Sequence, residues 1–307
     1  AESVKMILSG SSAAQIQLQF KDSLAGRKFV FYLHPLSFRE FLLFKGKNTF
    51  AEKLKIPFYI HMKDDLKYFR NELLPLLEEF IIFGGYPEVV KTVNYQHKKR
   101  LLTELIDAYV IKDIRWLFNI RDINQFNHLI KYLAVSNGTL ISMQNISNEV
   151  GISRQTVNSY LKILEDTFIC RQLCPYFSNK LKEFRKMPKL YFLDTGLRNT
   201  LLESFVPLSS RTDAGMLFEN YVFTQLVKKK KLFESLFFWR TQQKQEVDFI
   251  IKKEDNLFPL ETKMRAGKLS HLKKFKRDYN CDQGFVVSLK NEFEKHDNIT
   301  ILPGYLI

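Results

Sequence analysis

Cysteine is scarce in this chain, with three residues in 307, too few to frame a disulfide scaffold of this length. Cys170 and Cys174 lie in an apolar stretch without neighbouring histidines, so they read as core thiols of a reducing compartment. The six histidines, His34, His61, His97, His128, His271 and His296, are scattered and include no i, i+4 pair, which argues against a zinc centre. No window approaches the ~18 consecutive apolar residues of a spanning helix, and the acidic opening Ala1-Glu2-Ser3 does not begin a signal peptide. A cytoplasmic protein without a membrane partner is expected. A G-x-S-x-G nucleophile elbow is also missing.

The phosphate loop G-x-x-x-x-G-K-[ST] is absent as well, and so is a strand ending in Mg²⁺-holding acids. Gly46-Lys47-Asn48 lacks the upstream glycine. The chain has no initiator Met and enters at once a strand-like run, Val4 to Leu8, as if another segment preceded it. ATP is therefore expected as a ligand only if an upstream phosphate loop is present.

Positive charge is what the sequence has in excess. Lysine and arginine number 47 against 33 acids, a net charge of +14, and a surplus of that size points to a polyanion, with nucleic acid the leading partner. A solubility charge is the alternative. With 45% hydrophobic and 26% charged residues the chain is globular, and its length suits about two domains.

The opening run ends at Ser9-Gly10-Ser11-Ser12, a helix-like stretch covers Ala13 to Leu24, and Ala25-Gly26-Arg27 precedes a strand-like Phe29 to Leu33. Pro35 to Phe41 offers a cap, and helical periodicity then runs to about Ala134, broken at Gly84-Gly85-Tyr86-Pro87. The blocks Ile7-Leu8-Ser9-Gly10-Ser11-Ser12, Leu24-Ala25-Gly26-Arg27, Leu33 to Phe41, Phe83-Gly84-Gly85-Tyr86-Pro87 and Lys189-Leu190-Tyr191-Phe192-Leu193-Asp194-Thr195-Gly196-Leu197 resemble successive blocks of prokaryotic AAA+-type ATPases. Those proteins carry a C-terminal domain of unknown function. The resemblance implies that Ser9 stands at the end of a sensor strand facing the γ-phosphate and that Arg27 is an arginine finger or phosphate sensor. Turn and cap roles for both residues fit equally well.

A helix-turn-helix pattern follows between Asn124 and Pro175. Ile146 to Val150 forms a short helix, Gly151 turns, and Ser153 caps a second helix with Val157, Leu161 and Leu164 on one face. Arg154, Gln155, Asn158 and Lys162 on the other face are types that reach base edges and phosphates. Two strand-like runs, Phe168 to Leu173 and Lys189 to Leu193, flank a basic wing of Lys180, Lys182, Arg185, Lys186 and Lys189. Such winged helices bind DNA, but they also serve as ATPase lids and protein-docking units.

The sharpest chemistry is C-terminal. In the helix Gly215 to Val227, Glu219 shares a face with Met216, Val222, Phe223 and Leu226, so a carboxylate points where an apolar residue is expected. Glu246 to Ile251 alternates as a strand that sets Asp248 opposite Val247 and Phe249. After a turn, Leu257 to Met264 puts Glu261 and Lys263 on one face. Asp248 with Glu-x-Lys thirteen positions on resembles the PD-(D/E)XK nuclease-like superfamily, and Glu219 matches that superfamily's helix-borne acid. The resemblance implies catalytic roles for Glu219, Asp248, Glu261 and Lys263, with Asp248 and Glu261 holding Mg²⁺ or Mn²⁺ that activates water. The other reading is a buried ion network. Lys263 to Arg277, with Lys268, Lys273 and Lys274, reads as a helix-like phosphate grip, and Lys228 to Lys231 as a solvated helix end.

The expected fold is α/β. A remnant of an ATPase core (1–34) and a helical lid (35–123) lead to a winged helix (124–195) and a restriction-endonuclease-like domain (196–307). The expected function is the C-terminal portion of an AAA+-type protein associated with nucleic acid, cleaving phosphodiesters with a metal ion; a homo-oligomer is compatible with it. The alternatives are a noncatalytic DNA- or protein-binding module and a protein whose activity lies wholly in an upstream ATPase half.

Overall fold

The computed structural model describes residues 29, 31–54, 65–108, 114, 118, 120, 122–177, 186–229, 234–265, 267–290, 293–296 and 298–307, with 65–69 and 296 for their backbone alone. Ser9 and Arg27, the helix-like Ala13 to Leu24, and Lys180, Lys182 and Arg185 of the wing lie outside the described residues. Among the described residues of the run Phe29 to Leu33 no strand forms, and Phe29, Phe31 and Leu33 are exposed.

Among the described residues the first helices are α1 (Phe38–Phe44), α2 (Asn48–Lys53), α3 (Asp65–Phe83), α4 (Pro87–Lys91) and α5 (Tyr95–Leu105). The start of α1 is fixed by a capping box, since Ser37 Oγ accepts from Glu40 N and the Glu40 carboxylate accepts from Ser37 N at 2.7 Å. The segment read from the sequence as a winged helix comprises α6 (Ile123–Val135), α7 (Met143–Val150), α8 (Arg154–Asp166), β1 (Cys170–Leu173) and β2 (Lys189–Phe192). Gly151 ends α7 at φ 74°, a left-handed conformation that glycine adopts without a Cβ penalty, and Ser153 caps α8 by accepting from Thr156 N. β1 and β2, which fall within the two strand-like runs of the sequence, pair antiparallel. Cys170 is buried but Cys174 is exposed, so only the first of that pair is a core thiol.

The remainder is α9 (Thr195–Leu201), α10 (Ala214–Lys229), β3 (Glu234–Arg240), β4 (Glu246–Lys253), β5 (Asn256–Lys263), α11 (Ser270–Asp278), β6 (Gly284–Ser288), β7 (Glu294–His296) and β8 (Ile299–Pro303). The large sheet has the order β3-β4-β5-β6-β8-β7. β3, β4 and β5 run antiparallel, β5-β6 and β6-β8 run parallel, and α11 makes the crossover from β5 to β6. This is a mixed α/β sheet. The expected helix-like stretch from Lys263 is instead the end of β5, a loop, and a helix beginning only at Ser270.

Two cores sandwich the sheet. One face packs Phe249, Leu260 and Val287 against Phe218 and Phe223 of α10 and Phe80 of α3; the other packs Val247, Ile250 and Val286 against Leu272 and Phe275 of α11. A third core lies among α6, α7, α8, β1 and β2 and takes in Leu197 and Leu201 of α9. Hydrophobic contact therefore crosses the boundaries drawn at 123 and 195: the early helices share a core with the sheet, and α9 shares one with the winged helix. The β1 strand continues along β3, where Tyr176 N donates to Phe238 O at 2.6 Å and Phe238 N donates to Cys174 O at 3.2 Å, covering an edge that would otherwise present unpaired backbone groups.

The family-like blocks of the sequence meet in a buried latch. Asp194 accepts from Leu197 N at 3.0 Å, capping α9, and from Gly85 N at 2.7 Å. A Cβ on Gly84 would stand 2.0 Å from Asp194 Oδ1, and one on Gly196 would stand 2.1 Å from Phe83 O, so both glycines are dictated by close approach. Lys228 donates to Leu36 O at 2.9 Å and Phe38 N donates to Gln225 Oε1 at 2.9 Å, fastening the start of α1 to α10. Lys228 is thus no solvated helix end. Burial pushes its ammonium down to about 8, against the pull of Asp194 and Glu40.

Candidate functional site

The helix α10 is buried almost all round, as a helix must be when it lies between a sheet and a helical layer. Glu219 on it is largely removed from water, and it finds two hydrogen-bond partners on β2. Tyr191 Oη donates to Glu219 Oε1 at 2.5 Å, and Lys189 Nζ donates to the same oxygen at 3.0 Å. Both partners stand on one face of β2 because strand side chains alternate.

Asp248 owes its direction to a break in the sheet. Phe237 pairs with Ile250 but Trp239 pairs with Val247, a slip of one residue that makes a bulge in β4 at Asp248 and Phe249. Simple alternation would put Val247 and Phe249 on one face. Instead Val247 enters the core beneath α11 and Phe249 the core beneath α10. Asp248 Oδ2 turns across to β5, where it accepts from Thr262 N and Thr262 Oγ at 2.7 Å each.

Glu261 is buried beside this carboxylate, and its Oε2 lies 3.2 Å from Lys263 Nζ, whose side chain keeps 38% exposure. Burial raises the Glu261 carboxyl above its ordinary value, opposed by Lys263 and aided by the negative charge of Asp248. Lys263 is held protonated: burial works against its charge, but Glu261 and Asp248 outweigh burial. Glu219 rises further, to about 7, through burial first and Asp248 second, against Lys189 and Tyr191.

All four residues expected from the sequence, Glu219, Asp248, Glu261 and Lys263, thus fall within electrostatic reach of one another. Two residues that the sequence reading did not place here join them. Lys189, expected as a phosphate-contacting residue of the wing, is buried with its Nζ 2.7 Å from Glu246 Oε1 as well as 3.0 Å from Glu219 Oε1. Glu246 is held ionised, since Lys189 and Arg240 together outweigh its burial. The signal for Lys189 was present but ambiguous, because a lysine in a basic run reads as surface.

The cluster is open on one side, where Lys263 faces solvent. Among the described residues no group of three or more His, Cys, Asp or Glu stands close enough to hold a metal ion. Arg154, Gln155, Asn158 and Lys162 are all exposed on one side of α8, opposite buried Val157, Leu161 and Leu164. Lys268 and Lys273 are exposed as well; Lys274 is half-buried and donates to Gln245 Oε1 at 2.7 Å. Among the described residues no helix is long and apolar enough to cross a membrane.

Comparison with known proteins gives three family matches in succession: an AAA domain over residues 1–42, the domain of unknown function DUF8612 over 74–207, and the domain of unknown function DUF4143 over 214–307. The chain is 30% identical over 80% of its length to an uncharacterized protein of Methanocaldococcus jannaschii, of which it covers 52%. It is 25% identical over 87% of its length to an uncharacterized protein of Haemophilus influenzae, of which it covers 60%. It is also 32% identical over 43% of its length to an uncharacterized protein of Mycobacterium tuberculosis, of which it covers 30%. The chain spans about half the length of the first of these relatives. No solved structure matches it. These matches set the chain near the AAA+ superfamily through its first residues, with two domains of unassigned function following.

Proposed function

We propose that residues 196–307 form a metal-dependent, nuclease-like phosphodiesterase module, that the winged helix presents nucleic acid to it, and that both operate in a longer protein whose upstream half binds ATP. The observation that carries this reading is the bulge at Asp248, which aims one carboxylate across the hairpin onto Thr262, between Glu261 and the rim lysine Lys263 in the β5 sequence. Bulges concentrate where a side chain must be re-aimed beside a reactive centre.

The donor set suits one hard ion. Mg²⁺ keeps several waters and needs only one or two carboxylates, so Asp248 and Glu261 suffice where no cluster of three or more ligands stands ready among the described residues. Such an ion supplies an activated water and neutralises phosphate charge. The chain's own residues do the rest. Thr262 fixes the Asp248 carboxylate through two hydrogen bonds, while Lys263 keeps Glu261 company at the rim and can orient an incoming phosphate. The exposed Arg154, Gln155, Asn158 and Lys162 face, with Lys268 and Lys273, supplies the electrostatic grip.

A noncatalytic role for the same unit is favoured by one specific observation: Lys189 already bridges Glu219 and Glu246, as in a structural ion network. Oligonucleotide cleavage with and without Mn²⁺, run beside thermal melting on the parent and on Asp248→Asn, separates the two. Metal-dependent cleavage that vanishes in a stable Asp248→Asn supports the nuclease; no cleavage by the parent, with a large loss of melting temperature in the variant, supports the network.

A further inference from the structure

Four carboxylates, Glu219, Glu246, Asp248 and Glu261, converge on the inner end of the β4–β5 hairpin, and they are not equivalent. Glu219 and Glu246 are bridged by one ammonium, Lys189 Nζ, at 3.0 and 2.7 Å. That lysine belongs to the winged-helix hairpin. Its side chain is 4% exposed, and its ammonium lies 5.6 Å from the centre of the Phe238 ring, so it cannot swing to solvent without unpacking. Tyr191 and Arg240 complete the cage, on Glu219 and Glu246 respectively. The other two acids have no such internal bridge. Asp248 is held by the uncharged Thr262, and the counter-charge of Glu261 is the half-exposed Lys263.

A buried ammonium between two carboxylates stands where a divalent cation bridging them would stand, and the two charges exclude each other by electrostatics and volume. Resting on the cation reading of Asp248 and Glu261, we propose that Lys189 is a resident counter-ion that fills the Glu219–Glu246 side of the cluster and limits this site to one divalent cation. The winged helix thereby supplies a specificity-determining residue to a site on the sheet. A two-metal phosphodiester mechanism, with paired ions ~4 Å apart, is excluded by that one side chain.

The test is the stoichiometry of Mn²⁺ binding to the full chain, read from the free-ion signal in electron paramagnetic resonance, on the parent, Asp248→Asn, Lys189→Arg and Lys189→Met. The parent and Lys189→Arg are expected to bind one ion per chain, Asp248→Asn none, and Lys189→Met two. Two ions on the parent, or one ion on Lys189→Met with parental affinity, overturns the proposal. A parent that binds no ion overturns the cation reading of Asp248 and Glu261 instead; Lys189→Met then still decides, since uptake of one ion supports the counter-ion role and no uptake overturns it. Should Lys189→Met be unfolded without metal, restoration of a cooperative melt by Mn²⁺ supports the proposal and failure to restore it counts against it.

Discussion

Asp194, buried, and Glu219, half-buried, are both carboxylates close to α10, yet they are satisfied in opposite ways. Asp194 takes its hydrogen bonds from backbone, Gly85 N and Leu197 N, in a space so tight that two glycines are required around it. Glu219 takes its hydrogen bonds from side chains, Lys189 and Tyr191, at the inner end of a cluster whose rim reaches solvent. Backbone donors cannot leave without unfolding the segment that carries them. Side-chain donors can be replaced by substitution without breaking the backbone. The first arrangement is a joint and the second is the proposed site, although both come from sequence blocks that resemble known families.

The largest effect expected from breaking this contrast is on the joint. Gly196→Ala or Gly84→Ala forces a Cβ into a space of about 2 Å, and either is expected to lower unfolding free energy by about 3 kcal/mol or more in urea titration. Asp248→Asn in the site should cost under about 1 kcal/mol, since the amide oxygen still accepts from Thr262. A cost as large as that of the glycine variants would erase the distinction.

Titration sharpens the comparison next, because the two regions respond to pH in different windows. Glu219 has a folded value of about 7 against an ordinary 4.5. Between those values the native state binds the extra proton, so stability falls as pH rises through the window. Lys228 in the joint has a folded value of about 8 against 10.5. There the unfolded state binds the extra proton, so stability rises from pH 8 toward 10.5. Relative to the parent, Glu219→Gln is expected to lose ground as pH drops from 7 to 4.5, and Lys228→Met to lose ground as pH climbs above 8. Denaturation midpoints across pH check both signs.

The smallest effect on stability, and a selective one on binding, belongs to the exposed face of α8. Arg154→Ala with Lys162→Ala should change stability by less than about 0.5 kcal/mol, while lowering the slope of log affinity against log salt for duplex DNA by about 2. An unchanged slope would remove the winged helix from the nucleic-acid interface.

Local rules made much of the fold legible. Ser37 with Glu40 and Ser153 with Thr156 set helix starts, Gly151 set a stop, and alternation in the β4–β5 region announced the hairpin that carries Asp248, Glu261 and Lys263. These are short-range signals, readable because caps, turns and strand periods act within a few residues. Harder to read were Lys189, Lys228 and the facing of Val247 against Phe249. A lysine in a basic run looks like any surface lysine, and a bulge leaves no mark in the hydrophobic pattern.

Residue type, spacing and a family resemblance thus singled out the acids and the lysine of the hairpin, since these are legible along two short strands without the fold. Only tertiary packing decided which charges meet. Burying α10 between sheet and helices stranded Glu219 in low dielectric, where an unpaired carboxylate is costly, and docking β1 and β2 against β3 brought Lys189 to it from another unit of the chain. That pairing joins residues 30 apart through a contact that exists only once both layers have packed.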